Sequence, residues 1–185
     1  MRTNSCEKGE LLDLLKVFIG FKSTDSEPIQ KMKCLDWIVS TFLSTNVDNI
    51  QRGDFEGSPW VFLPQDDSKL LIFAHCDVVP SADNMFDLSL DDDIAKGRGT
   101  CDMKGNILPF LMVYRDAVKE GTVPPISILI TTDEEVAGNT IPHLLDTGVV
   151  KTPVAFTPDS NDIGIVCQHK GVAWSELICH GKGGH

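Results

Sequence analysis

The sequence predicts an α/β fold, with a central, mostly parallel sheet flanked by helices. Three observations carry this expectation. Residues 69–74 (KLLIFA) and 126–131 (ISILIT) are apolar runs of strand length with almost no polar alternation, the pattern of strands buried on both faces. Helix-period segments stand between such runs, which calls for crossover connections and parallel neighbours. Each run is followed at once by acidic residues or histidine, and in such sheets ligands bind beyond the carboxyl ends of the strands.

The elements follow in order. Leu11, Leu14, Leu15, Phe18 and Ile19 recur at helical spacing and predict an amphipathic first helix; Glu7, Glu10, Asp13 and Lys16 interrupt the segment and argue against a signal peptide. A second helix is expected with Ser26 as N-cap and Pro28 in its first turn. Ile29, Met32, Leu35, Ile38, Val39, Phe42 and Leu43 would form its apolar face, and it would stop near Asn46. Strands are expected at 48–52 and 58–63, ahead of the buried run. Residues 81–93, with Asp83, Asp87, Asp91, Asp92 and Asp93, read as a solvated loop. A third helix over 106–119 closes at Gly121, and a fourth over 140–145 leads by Gly148 to a strand at 154–157. Residues 163–179 read as two short extended segments separated by Lys170-Gly171.

Composition narrows the class. The 185 residues are 42% hydrophobic, so the chain can bury a core without disulfides. Acidic residues number 27 against 16 basic, a net charge of −11, which argues against nucleic-acid and acidic-membrane partners. No apolar stretch approaches the roughly 18 residues of a spanning helix. The six cysteines are scattered, without a CxxC pair, and read as reduced thiols of a cytoplasmic protein.

The chemistry gathers where the apolar runs end. After the first come His75-Cys76-Asp77, after the second Asp133-Glu134-Glu135, and after the third Pro158-Asp159. Residues i and i+2 of an extended chain share a face, so His75 and Asp77 can act together while Cys76 points away. Imidazole plus carboxylates is the ligand set of catalytic zinc sites. Asp102 lies among Gly97, Gly99 and Gly105 just ahead of a helix, where a tightly bent backbone could bring its carboxylate onto a metal. Taken singly, each residue has an ordinary reading: a hydrogen-bonded rim histidine, a solvated acidic pair, a turn aspartate. Together they would repel and desolvate one another unless a cation were present.

The motifs HCDVVP (75–80), GRGTCDMKGN (97–106), TTDEEVAG (131–138), PDS (158–160) and HGKGGH (180–185) occur in one order. In these the chain resembles the zinc-dependent aminoacylase and carboxypeptidase family that includes acetylornithine deacetylase, succinyl-diaminopimelate desuccinylase and glutamate carboxypeptidases. The resemblance implies a dinuclear zinc site, with Co2+ or Mn2+ as alternative metals. His75 and Asp159 would bind one metal, Glu135 the other, and Asp102 would bridge them. Asp77 would fix the tautomer of His75, and Glu134 would be the general base that moves a proton from a metal-activated water to the leaving amine. His185 would help stabilise the oxyanion, often in the neighbouring subunit's active site. The implied reaction is hydrolysis of the amide bond of an N-acyl amino acid or short peptide.

Family members continue with a lid and dimerisation domain and a returning segment that brings the last metal histidine. Residues 1–179 are therefore expected to be the N-terminal part of a catalytic domain, and 180–185 the start of a missing second domain; the longer form would be a homodimer. His143, His169 and His180 read as structural or exposed rather than as replacement ligands. Position 159 is Asp where the acetylornithine and desuccinylase branches usually have Glu, which leaves the substrate branch open. A truncated, non-catalytic metal-binding or oligomerisation remnant is the alternative function, and a structural protein that merely keeps the fold is a third.

Overall fold

The computed structural model describes residues 5–136, 138–160, 164–166, 168, 171, 173 and 175–182. Helices α1 (Ser5–Gly20), α2 (Pro28–Ile38), α3 (Lys104–Lys119) and α4 (Thr140–Asp146) accompany strands β1 (Gln51–Phe55), β2 (Ser58–Leu63), β3 (Leu70–His75), β6 (Ile126–Thr131) and β7 (Val154–Phe156). The short strands β4 (Ser89–Asp91) and β5 (Ile94–Lys96) form a hairpin of their own.

The five-stranded sheet has the order β1-β2-β6-β3-β7. It bears out the α/β class and is mixed: β3 pairs parallel with β6 and β7, while β6–β2 and β2–β1 are antiparallel. The β1–β2 hairpin closes on a two-residue turn, in which Glu56 and Gly57 both take positive φ (52° and 84°) and the Asp54 carboxylate accepts the Gly57 N–H at 2.9 Å.

Strand alternation divides the core into two layers. Val61, Leu63, Ile72, Ala74, Ile128 and Ile130 pack on one face against Phe18, Ile19, Leu35, Ile38, Phe42, Ile107, Leu108 and Leu111 of the first three helices and the turn after α2. Phe62, Leu71 and Leu129 pack on the other against Leu144 and Val150. Burial on both faces explains the near-continuous apolar runs of β3 and β6. Buried Lys104, at the start of α3, donates to the carbonyls of Phe18 (3.2 Å) and Phe21 (2.7 Å), tying this helix to the end of α1.

Several sequence expectations are corrected. Glu27, not Ser26, precedes α2, and no side chain caps that helix. Its inward face is rotated: Ile29 and Met32 are 66% and 56% exposed, while Lys31 is buried. The Lys31 stem lies in the core and its ammonium reaches Asp25 at 2.9 Å, so an amphipathic side chain takes an inward position without an unpaired charge. From Val39 the helix loosens into a π-helical turn and then a 3₁₀ segment, Ser44–Asn49, which delays β1 to Gln51. The acidic stretch is not simply a loop: Asp83 and Asp93 pair with Lys22 and Lys8, both at 2.7 Å, and buried Phe86 anchors it beside the β4–β5 hairpin. Helix α3 begins at Lys104, two residues early, and ends with Gly121 at φ 86° as expected; the Thr122 N–H bonds back to Ala117 at 2.9 Å. Beyond residue 163 no strand occurs among the described residues, and those are exposed. Lys170 lies outside them. Among the described residues no helix is long and apolar enough to cross a membrane.

Candidate metal centre

Because β3 lies between β6 and β7 and runs parallel to both, the residues that follow all three strands arrive at one end of the sheet. His75 is the last residue of β3 and only 2% exposed. Its backbone N–H meets the sulfur of fully buried Met103 at 3.3 Å, and the next residue continues the ladder, with the Cys76 N–H bonded to the Thr131 carbonyl at 3.0 Å. Cys76 points into the helical core layer, so His75 and Asp77 face the other way, as alternation requires.

The His75 imidazole has two distinct sides. Nδ1 lies 3.3 Å from the Asp77 carboxylate and 3.1 Å from the Asp77 carbonyl oxygen. Nε2 lies 3.1 Å from Asp102, 3.7 Å from Glu134 and 3.7 Å from Asp159. Asp77 is itself buried, and its carboxylate also accepts the backbone N–H groups of Glu135 (3.0 Å) and Glu134 (3.4 Å). One aspartate thus fixes both the ring and the chain that carries the acidic pair. A ring that donates from Nδ1 leaves Nε2 as the electron-pair donor facing the carboxylates.

Asp102 is delivered by a tight turn. The Gly105 N–H bonds to the Gly99 carbonyl at 3.0 Å, and the Asn106 amide to the Cys101 carbonyl at 2.6 Å. Gly99 takes φ 93°, and a Cβ on Gly105 would lie 2.0 Å from the Thr100 carbonyl oxygen, so only glycine fits there. The peptide between Asp102 and Met103 is cis.

Among the described residues two sets of ligand-type atoms lie within 4.8 Å of one another: His75, Asp102 and Glu135, and His75, Glu134 and Asp159. Both share His75. The electrostatics are those of a crowded anionic site. Burial and the neighbouring carboxylates push Glu134, Glu135 and Asp159 above the usual carboxylate range, with His75 opposing. Burial pulls the His75 imidazole down, but the Asp77 hydrogen bond and the charges of Asp77, Glu134 and Asp159 outweigh it and raise it to about 9. One imidazole nitrogen among converging carboxylates whose mutual repulsion a cation would relieve fits a divalent metal.

Six of the seven sequence-derived site residues, His75, Asp77, Asp102, Glu134, Glu135 and Asp159, are therefore brought together, from segments up to 84 positions apart in the numbering. His185 lies outside the described residues, as does His169. His143 stacks on Phe55 with ring centroids 4.0 Å apart, and His180 is exposed. Buried Asp133 was given no role by sequence reasoning, although it stands beside the acidic pair. A concavity of about 630 Å3 is lined by Leu11, Pro109, Met112, Val113 and charged residues of α1 and α3, and by none of the six.

A probable carboxypeptidase of Aspergillus terreus is 29% identical over 122 residues, covering 63% of this chain and 28% of that protein. A probable carboxypeptidase of Aspergillus oryzae is 24% identical over 155 residues, covering 77% and 35%. The chain thus spans about a third of the length of these curated relatives. Among solved structures, an M20-family metallo-carboxypeptidase of Sulfolobus solfataricus superposes with TM-score 0.64 at 18% identity, covering 80% of this chain and 37% of that one. Human carnosine dipeptidase 1 superposes with TM-score 0.61 at 16% identity, covering 77% and 36%; these likenesses concern the fold. The profile of peptidase family M20/M25/M40 matches residues 71–173, more than half of the chain and the span that holds all six clustered residues, so the chain belongs to that family.

Proposed function

We propose that the chain forms part of a metal-dependent hydrolase that cleaves the amide bond of a short peptide or an N-acyl amino acid. The observation that carries this reading is the convergence of His75 Nε2 with Glu134 and Asp159, from the ends of parallel strands, and with Asp102, from the turn before α3, within 3.1–3.7 Å. The likeness to carboxypeptidases favours the peptide end of the substrate range over the acetylornithine and desuccinylase branches.

In this reading His75, Asp102, Glu135 and Asp159 hold zinc, two ions per complete site, with cobalt(II) or manganese(II) able to substitute. The metal, when bound, lowers the pKa of water and polarises the scissile carbonyl. Asp77 keeps the His75 ring oriented through Nδ1. Glu134 is the general base: it is half-exposed, its carboxyl is raised by burial and by Asp159, Asp102 and Asp77, and it stands where a substrate from solvent can reach it. It takes a proton from water and returns it to the leaving amine. The same reading assigns residues 1–179 to a catalytic domain and 180–185, with His185, to the entry of a second, lid-like domain that would pair subunits in a longer form.

The test measures metal content and hydrolysis of dipeptides, N-acetyl-ornithine and N-succinyl-diaminopimelate by the 185-residue chain, with Glu134→Ala as control. Bound zinc with turnover that the variant loses supports the proposal. Zinc without turnover favours a metal-binding remnant. A folded chain that takes up no zinc overturns the metal centre.

A further inference from the structure

The acidic pair Glu134-Glu135 sits on a loop held by two aspartates. Asp77 takes the two N–H groups of the pair. The second support is Asp133, the residue before the pair and only 4% exposed. Its backbone carbonyl accepts the N–H of Gly138 at 2.7 Å and of Val136 at 3.4 Å, closing the loop on itself. Its carboxylate Oδ2 accepts the N–H of Thr140 at 2.8 Å, the first residue of α4, where the preceding Asn139 supplies no side-chain cap. Upstream, the Thr132 hydroxyl is bonded to the Pro59 carbonyl at 2.8 Å, which anchors this end of the loop to β2.

From this geometry we infer that Asp133 is a positioning residue for the metal centre: by holding Val136, Gly138 and Thr140 it sets the reach of the Glu134 and Glu135 side chains. The inference rests on the metal role proposed for Glu135. A small solvated loop bearing two adjacent carboxylates would otherwise relax away from Asp102 and Asp159, because like charges in a partly buried site repel. The clamp holds the pair against that repulsion. It does so at a cost, since Asp133 Oδ1 and the Thr140 hydroxyl are buried without a hydrogen-bond partner among the described residues. Asparagine at position 133 keeps an acceptor for the Thr140 N–H and replaces the unpaired oxygen with a donor, so it preserves the clamp while removing the charge.

The experiment compares the unmodified chain with Asp133→Ala and Asp133→Asn, using cobalt(II) as probe. Affinity, the visible cobalt spectrum and amide exchange of residues 134–140 are read at temperatures where far-UV dichroism shows a folded chain. The Ala variant is expected to lose about tenfold or more in cobalt affinity, with an altered spectrum and faster exchange at Gly138 and Thr140, and the Asn variant to stay within about threefold of the parent. A folded Ala variant with parental affinity and spectrum would overturn the inference. Should Ala fail to fold, Asn decides: parental affinity and amide protection support the clamp, and a tenfold loss in a folded Asn variant overturns it. If the parent itself binds no cobalt, the proposed function fails, and amide exchange alone then supports the clamp or, if unchanged in the variants, overturns it.

Discussion

Replacing Asp77 by asparagine tests how much of the site depends on one buried carboxylate. In the parent chain that carboxylate accepts the Glu135 N–H at 3.0 Å and the Glu134 N–H at 3.4 Å, and faces His75 Nδ1 at 3.3 Å. Asparagine has nearly the same shape but only one acceptor oxygen, and its NH2 group would be turned toward an N–H. One charge-assisted hydrogen bond, worth roughly 1.5–3 kcal/mol, is lost and the other weakens to a neutral bond worth roughly 1 kcal/mol, so about 3 kcal/mol of stability should disappear. For a chain of this size that is a fall in Tm of roughly 6–12 °C. Metal affinity should drop roughly 10–100-fold, because the ring and the acidic pair both lose their orienting partner. His75 should titrate at lower pH, since Asp77 supplies the largest of the influences that raise it to about 9. The measurements are urea and thermal unfolding after chelation, chelator competition for zinc, and NMR titration of the imidazole. Asp93→Asn, which removes an exposed partner of Lys8, is the control and should leave Tm and zinc affinity close to the parental values. An Asp77→Asn chain with Tm within about 2 °C of the parent and zinc affinity within about threefold would refute the assignment of Asp77 as the common support.

Three further outcomes are expected. Gly105→Ala should destabilise the chain by about 3 kcal/mol or abolish metal uptake, because its Cβ would lie 2.0 Å from the Thr100 carbonyl oxygen and the Asp102 turn must open to admit it; a stable alanine variant with unchanged zinc binding would contradict this. Without metal, the His75 imidazolium and its carboxylate partners contribute stability that is complete below the ordinary pKa of 6.5 and lost as pH rises through about 9. A metal must displace that proton, so zinc affinity should rise by about tenfold per pH unit between about 6.5 and 9, with proton release in calorimetry across buffers of different ionisation enthalpy; a flat profile would exclude His75 as ligand. Strand β7 pairs with β3 on one side only among the described residues, and Val154 and Phe156 are 56% and 54% exposed, so the isolated chain should self-associate in sedimentation and Val154→Lys should reduce this; a sharp parental monomer would count against it.

The order of strands, helices and ligand residues was legible along the chain because it depends on local periodicity and on short motifs. Leu70–His75 and Ile126–Thr131 are buried on both faces as their composition requires, and the acidic residues follow them directly. Local pattern misled where burial depends on a neighbour. Lys31 turns inward because Asp25 meets its ammonium and the core accepts its stem, and Ile29 and Met32 are left outside. Hydrophobicity read one residue at a time cannot register such a pairing.

The sequence by itself determined the fold class, the family and the identities of the clustered residues. Only the tertiary structure decided that β3 lies between β6 and β7, that His75 Nε2 meets three carboxylates, and that Asp77 and Asp133 both hold amides of the acidic loop. Strand order and convergence are non-local. They are set by which apolar faces bury against which layers and by contacts such as that of the Glu134 N–H with Asp77 across 57 positions of chain; the Asp133–Thr140 bond spans only seven positions, but it forms only when the loop between them is folded back.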